Sequence, residues 1–165
     1  RVYGNRDVIG TELAGALKNI LAIAAGVATG LEMGDNAKAL LITRGLAEIS
    51  RLGVAAGANP LTFVGLTGVG DLMATCASPL SRNHQVGRRL GEGQSLEEIL
   101  GSMVMVAEGV KTTRVALALA ERLGVEMPIA EGVHKVLYEG VSAADAVEAL
   151  MARRSTYELD GAEIG

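Results

Sequence analysis

Residues 8–30, VIGTELAGALKNILAIAAGVATG, decide the fold of this chain. Apolar and small residues fill almost the whole segment, and past Glu12 its only charged side chain is Lys18. Asp7 precedes the segment and is a suitable N-cap residue. We therefore predict a helix that runs from Asp7 to about Gly30, and its lack of charge on every face places it at the centre of the molecule.

The rest of the chain also has the patterns of helices, with short joins and no alternation typical of strands. Ser95 and Glu98 have the spacing of a capping box, while Ser78 and Pro79 suit the cap and first turn of another helix. The further predicted helices are residues 36–57, 78–91, 95–100, 108–124, 128–138 and 142–153. We expect an all-α compact domain of seven or eight helices over residues 1–154, and a flexible tail over residues 155–165.

Composition excludes several classes of function. The net charge of −4 and the 2% of aromatic residues leave neither a basic surface nor stacking platforms for nucleic acid. The longest apolar run, Ile20 to Ala28, is far shorter than the ~20 residues of a membrane span. Cys76 is the only cysteine, so no intramolecular disulfide forms, as expected of a cytoplasmic protein. The two histidines lack the spacing of metal ligands, so we expect no metal.

A glycine-rich stretch, GLTGVGDLM at residues 65–73, is the first candidate for chemistry. It contains Gly68 and Gly70, but Met73 stands at the third position of the dinucleotide-binding pattern and no strand precedes it. The simpler interpretation is a tight turn between helices. The functional interpretation is a turn that presents the Asp71 carboxylate at a helix start.

The stretch SPLSRN, residues 78–83, is the second candidate. Ser81, Arg82 and Asn83 lie near the first turn of a predicted helix, where free backbone amides and the helix dipole favour an anion. The planar guanidinium of Arg82 suits a phosphate. A solvated helix start is the alternative interpretation.

Lys18 is the third candidate, and it too has two interpretations. Its stem can pack against the core while the ammonium reaches the surface. Alternatively the amine is desolvated, and desolvation of a lysine shifts its proton exchange towards neutral pH. A buried amine, an anion site and a carboxylate together would form the wall of an active site.

Five blocks in this order resemble the C-terminal domain of the bacterial-type NAD(P)-dependent glycerol-3-phosphate dehydrogenase family. The blocks are DVIGTELAGALKNILAIAAG, GDNAKALLITRGLAEI, ANPLTFVGLTGVGDLMATC, SPLSRN and VAEGV, and the resemblance extends from about Val2 to Leu150. It implies an enzyme that interconverts glycerol 3-phosphate and dihydroxyacetone phosphate for phospholipid synthesis. It also implies a helical domain of the 6-phosphogluconate-dehydrogenase C-terminal type, paired with an N-terminal Rossmann domain that these residues lack.

The resemblance assigns roles to nine residues. Lys18 corresponds to the proton-transferring lysine, with Asn19 beside it in the substrate site. The further substrate-binding residues are Asp71, Thr75, Ser81, Arg82 and Asn83, and those that contact the nicotinamide cofactor are Arg82, Val106 and Glu108. In this mechanism a neutral Lys18 accepts the proton of the C2 hydroxyl while hydride leaves C2, and the reverse step returns that proton.

The resemblance also implies NAD or NADP as cofactor and a homodimer as the intact enzyme. A chain that begins at Arg1 without Met is expected to be a piece of a longer protein, inactive alone because hydride transfer needs both domains. Two alternatives remain at this stage. One is a non-catalytic helical interaction or dimerisation module, and the other is a two-domain dehydrogenase of a hydroxy acid, against which the Arg82 block argues.

Overall fold

The computed structural model describes residues 1–103 and 105–153 of the chain, and within them all regular structure is helical. This confirms the predicted all-α class. The tail predicted to be flexible, residues 155–165, lies outside the described residues. The helices are α1 (Val8–Gly30), α2 (Asp35–Ala55), α3 (Pro60–Phe63), a π-helical turn (Leu66–Gly70), α4 (Asp71–Ala77), α5 (Arg82–Gly91), α6 (Leu96–Ser102), α7 (Glu108–Leu123), α8 (Pro128–Tyr138) and α9 (Ala143–Met151).

Helix α1 is the central helix, as its composition predicts. Every residue from Ile20 to Ala28 is buried, and the helix packs against α2, α4, α5, α7 and α8. Asp7 caps it by accepting the backbone N–H of Gly10, at 2.9 Å. The same carboxylate accepts from the hydroxyl of Thr62 at 2.6 Å, and these bonds, the Thr62 bond first, hold the pKa of Asp7 below its usual value. Asp7 thereby anchors the start of α1 to α3.

Helices α1 and α5 point in the same direction, and their backbones are in van der Waals contact. A Cβ atom at Gly26 would collide with the carbonyl oxygen of His84, and one at Gly87 would collide with that of Ile23. Gly30 and Gly91 continue the seam at its C-terminal end. The abundant glycine therefore serves close helix packing, and the seam holds the N-terminus of α5 beside the middle of α1.

Two boundaries differ from those predicted. Helix α5 begins at Arg82 with Ser81 as its N-cap, whereas Ser78 and Pro79 lie in a turn closed by the Ser81 N–H and the Ser78 carbonyl, 3.1 Å apart. The helix begins after Ser81 rather than after Ser78 because the side chain of Ser81 accepts the backbone N–H of His84 and so caps the helix. The stretch predicted as a tight turn is a π-helical turn between α3 and α4, and these elements bring the described residues to nine α-helices and one π-helical turn, more than the expected eight.

A buried carboxylate joins α2 to the N-terminus of α8. Glu48 is 3% exposed, and its two oxygens accept the backbone N–H of Ile129 at 2.8 and 3.1 Å. A longer bond of 3.4 Å comes from the N–H of Ala130. Glu48 therefore satisfies amides that the first turn of a helix leaves without internal partners.

Two segments are long and apolar enough to cross a membrane by length and composition, Val8–Gly30 and Pro60–Ala77. The first is α1, whose buried surroundings are those of a core helix. The second consists of three separate helical pieces, α3, the π-helical turn and α4.

Candidate functional site

Lys18 and Asp71 form an ion pair between the middle of α1 and the start of α4. The Nζ of Lys18 donates to Oδ2 of Asp71, and the Thr75 hydroxyl donates to Oδ1 at 3.2 Å. The side chains of Lys18 and Asp71 are 20% and 41% exposed. The amine is thus neither fully desolvated nor free in solvent, which falls between the two interpretations of Lys18. Thr75, one turn along α4, holds the carboxylate in the orientation that receives the amine.

The π-helical turn brings Asp71 to this position. Gly68, in its middle, packs against the backbone of Phe63, and a Cβ there would collide with the Phe63 carbonyl oxygen. Phe63 itself is buried at 1% exposure. The glycine-rich stretch is therefore a packed support for Asp71 rather than a nucleotide-binding loop.

The N-terminus of α5 has the properties of an anion site. The Ser81 Oγ accepts the N–H of His84 at 3.4 Å, which leaves its hydroxyl proton available to a ligand. The backbone N–H groups of Arg82 and Asn83 have no acceptor among the described residues. Arg82 is exposed and has no ion-pair partner within the same residues. An oxyanion here would meet backbone donors, the positive end of the dipole and a guanidinium.

Asn19, Asn83 and Gly109 meet where α1, α5 and α7 come together. The Nδ2 of Asn83 donates to Oδ1 of Asn19 at 2.9 Å, and Oδ1 of Asn83 accepts the N–H of Gly109, also at 2.9 Å. Asn83 is buried, at 8% exposure. One carboxamide thus connects the helix that carries Lys18 with the first turn of the helix that carries Glu108.

These elements surround an open cavity with a volume of about 460 Å³. Of the nine predicted site residues, seven line it; Lys18 and Asp71 are not among the lining residues, but Asp71 accepts a hydrogen bond from Thr75, which does line the cavity. Sequence reasoning did not assign Ala74, Ser78 and Leu80, which also line it. Leu80 belongs to the SPLSRN block, but nothing in the sequence indicated that a leucine there would be 83% exposed. The lining residues are Asn19, Ala74, Thr75, Ser78, Leu80, Ser81, Arg82, Asn83, Val106 and Glu108.

Two titratable side chains pack behind the site. Burial, with a smaller contribution from the charges of Arg88 and Lys38, lowers the pKa of His84. Burial raises the pKa of the Cys76 thiol to about 12, although the nearby charge of Lys18 acts to lower it. Both shifts favour the neutral form of the side chain near pH 7. In the described part of the chain, no three His, Cys, Asp or Glu residues come together as metal ligands do.

A nicotinamide cofactor finds only part of a site in this chain. Val106 is 60% exposed and lines the cavity together with the charged residues Arg82 and Glu108. These residues fit one wall of a cofactor site, an apolar surface for a ring and a cation for a phosphate. The described residues contain no strand followed by a glycine-rich helix start that would hold the rest of a dinucleotide.

Comparisons with known proteins agree on one family. Residues 7–148 match the family described as NAD-dependent glycerol-3-phosphate dehydrogenase C-terminus. The chain is 59% identical over 160 residues to glycerol-3-phosphate dehydrogenase (NAD(P)+) of Pelotomaculum thermopropionicum and 61% identical to that of Geobacillus kaustophilus. Each match covers 97% of this chain but 46% of the relative. The chain therefore spans about half the length of the curated relatives it matches.

Solved structures show the same relationship in three dimensions. The crystal structure of glycerol-3-phosphate dehydrogenase from Coxiella burnetii has a TM-score of 0.89 and 45% identity, over 93% of this chain and 47% of that one. The enzyme from Saccharomyces cerevisiae has a TM-score of 0.78 and 30% identity, over 86% of this chain and 42% of that one.

Proposed function

This chain belongs to the family of the C-terminal domain of NAD-dependent glycerol-3-phosphate dehydrogenase, and on that premise we propose that it is the substrate half of such an enzyme. The reaction is the interconversion of glycerol 3-phosphate and dihydroxyacetone phosphate with NAD or NADP. The observation that carries the proposal is a cavity lined both by the N-terminal residues of α5, Ser81 to Asn83, and by Thr75, whose hydroxyl bonds to the Asp71 partner of Lys18. A small phosphorylated alcohol or ketone needs both.

The phosphate group is proposed to bind at the N-terminus of α5. Arg82 supplies a charge that has no partner among the described residues, and the backbone N–H groups of Arg82 and Asn83 supply directed donors. The hydroxyl of Ser81 adds a donor because its lone pair already accepts from His84. An unphosphorylated hydroxy acid has no phosphate dianion to bind these donors at the N-terminus of α5.

Lys18 is proposed to move the proton. In the reductive direction its ammonium, held by the Asp71 carboxylate, donates a proton to the C2 carbonyl oxygen as C2 receives a hydride. In the oxidative direction the neutral amine takes the proton of the C2 hydroxyl. Bound NADH or NAD+ supplies or accepts that hydride. Asp71 and Thr75 keep Lys18 oriented through both directions, and Asn19 lies one residue further along α1 on the wall of the cavity.

The remaining cofactor contacts are proposed to come from an N-terminal Rossmann domain. Val106, Glu108 and Arg82 would form the wall on this side of the nicotinamide nucleotide. The chain alone is then inactive, because it holds the substrate without holding the hydride carrier. We further propose that the whole enzyme is cytoplasmic, supplies glycerol 3-phosphate for phospholipid synthesis, and forms a homodimer. Leu61, Val64 and Leu66, each at least 66% exposed, offer apolar surface for such contacts.

The test uses the chain joined to its Rossmann domain and measures NADH formation from glycerol 3-phosphate. Lys18→Ala should lower kcat by roughly 10²–10⁴, the usual contribution of a general acid or base. Arg82→Ala should instead raise KM about tenfold or more, since a hydrogen bond to a charged group contributes ~1.5–3 kcal/mol. Lys135→Ala and Arg122→Ala, at exposed positions of α8 and α7, are the matched controls.

Three results would contradict the proposal. Full activity of Lys18→Ala removes this lysine from proton transfer. An unchanged KM in Arg82→Ala, together with faster turnover of an unphosphorylated hydroxy acid, indicates a different dehydrogenase. Turnover by the isolated chain refutes the division of the site between two domains.

A further inference from the structure

The side chain of Asn83 points to a role other than direct contact with a ligand. Its only described hydrogen bonds are internal, to Oδ1 of Asn19 and from the N–H of Gly109, both 2.9 Å long. We propose that Asn83 is a positioning residue, whose carboxamide orients Asn19 towards the cavity and ties the first turn of α7 to the same point. This inference rests on the proposed function and specifies how that site is held together.

The orientation of both carboxamides follows from a donor whose identity is fixed. The backbone N–H of Gly109 only donates, so the Asn83 atom that faces it is the oxygen. The Asn83 atom on the other branch is then Nδ2, which donates to Asn19 and requires an oxygen there. Nδ2 of Asn19 therefore lies on the opposite branch and has no acceptor among the described residues. Asn19 lines the cavity, and its Nδ2 is not among the buried side-chain atoms that lack a partner, so this N–H donor is accessible to a ligand bound there.

A donor at this position suits the oxygens of the proposed substrate. The C2 oxygen and the phosphate oxygens of glycerol 3-phosphate accept hydrogen bonds, and dihydroxyacetone phosphate has an acceptor carbonyl at C2. A reversed Asn19 would turn its Oδ1 towards these lone pairs and repel them. Without Asn83, the carboxamide of Asn19 can adopt either orientation.

The second bond of Asn83 places the other wall of the cavity. Gly109 lies so close to α1 that a Cβ there would be 2.7 Å from the Asn19 carbonyl oxygen and 2.8 Å from Oδ1 of Asn83. Glu108, the preceding residue, lines the cavity at the start of α7. Asn83 thus sets the spacing between the helix that carries Lys18 and the wall proposed to face the cofactor.

The test is a double-mutant cycle in the full-length enzyme, with Asn19→Ala, Asn83→Ala and the double variant assayed for oxidation of glycerol 3-phosphate. Asn83→Ala should lower kcat/KM on the order of tenfold in the wild-type background. The same substitution should have a clearly smaller effect, about two- to threefold, when Asn19 is already alanine, because its action through Asn19 is gone and only its bond to Gly109 is still lost. Asn36→Ala, at an exposed position of α2, is the matched control.

Asn83→Asp separates positioning from folding. The carboxylate still accepts the Gly109 N–H and preserves the shape of the side chain, but it cannot donate to Asn19. We expect Asn83→Asp to remain folded by circular dichroism, with a lowered midpoint of urea unfolding because its carboxylate is buried, and to lose at least as much kcat/KM as Asn83→Ala. Losses that multiply in the double variant, or full activity of Asn83→Asp, would overturn the proposal and return Asn83 to the role of an independent contact or a bystander.

A separate readout covers failure of the proposed function. If the wild-type enzyme does not turn over either phosphorylated substrate, the assigned reaction is wrong, and an atomic-resolution crystal structure of Asn83→Asp decides the positioning role. A carboxamide of Asn19 turned so that Nδ2 faces position 83 supports it. An unchanged carboxamide overturns it.

Discussion

Glu48 makes the stability of this domain depend on pH in the direction opposite to an ordinary surface carboxylate. Burial raises its pKa from 4.5 to about 7, against the lowering effect of the Ile129 and Ala130 amides and of the Arg51 charge. The charge of Glu131 adds a smaller increase. Because the pKa of the folded state lies above that of the unfolded chain, protonation favours folding. The contribution is complete below about pH 4.5 and disappears as the pH rises through about 7.

The size of the effect follows from the same two values. Each pH unit between them is worth about 1.4 kcal/mol, so the Glu48 contribution to the free energy of unfolding falls by about 3 kcal/mol from pH 4.5 to about 7. The carboxyl group is 3% exposed, so solvent screening does not reduce this figure appreciably. Glu48→Gln keeps the shape of the side chain and one oxygen acceptor for Ile129 but cannot ionise.

Urea unfolding of the wild type and Glu48→Gln, measured by circular dichroism from about pH 4 to about pH 8, tests this reasoning. The free energy of unfolding of the variant minus that of the wild type should increase by about 3 kcal/mol across this range. Glu121→Gln, on the exposed face of α7, should show no comparable step. Parallel curves for wild type and Glu48→Gln would show that the amides of α8 compensate fully for burial, and the argument from desolvation would then be wrong.

Three further outcomes are expected. Gly87→Ala should lower the free energy of unfolding by ~1–3 kcal/mol or more, because the new Cβ collides with the Ile23 carbonyl oxygen. Gly132→Ala, which has open space around it inside α8, should raise the free energy of unfolding by up to ~1 kcal/mol. Urea unfolding of both variants tests how tightly α1 and α5 pack. Cys76, whose pKa burial raises to about 12, should react with a disulfide reagent at pH 8 only after unfolding, and fast modification of the folded protein would contradict its burial. The full-length protein should sediment as a dimer at micromolar concentration, and a single monomer boundary would count against the homodimer.

The sequence was a good guide to helices whose signals are local. The Ser95–Glu98 capping box and the end of α7 at Gly124, which has a φ of 66°, are as predicted. Those signals act within one turn of the chain, so no distant contact overrides them. The segment from Pro60 to Ala77 was different. Its π-helical turn depends on the packing of Gly68 against the backbone of Phe63, a contact that residue patterns do not encode.

The candidate site shows the same division. Residue types and the family resemblance brought attention to Lys18, Asp71 and Arg82, because their chemistry is recognisable in sequence. The hydrogen bond between Asn19 and Asn83 was not predictable, since these residues are 64 positions apart. The structure also shows that the side chain of Lys18 is 20% exposed, which falls between the two interpretations that the sequence left open.

The exposure of α1 explains why an ammonium group lies in the middle of its apolar sequence. Before Lys18 the helix alternates between exposed and buried positions, and from Ile20 to Ala28 every residue is buried. Lys18 and Asn19 therefore occupy the point where α1 emerges from the core. A side chain at this boundary has the backbone of a packed helix and an end group that solvent can reach. The proposed mechanism requires such a position, because a proton-transferring amine has to be held in place, here by Asp71, and still be accessible.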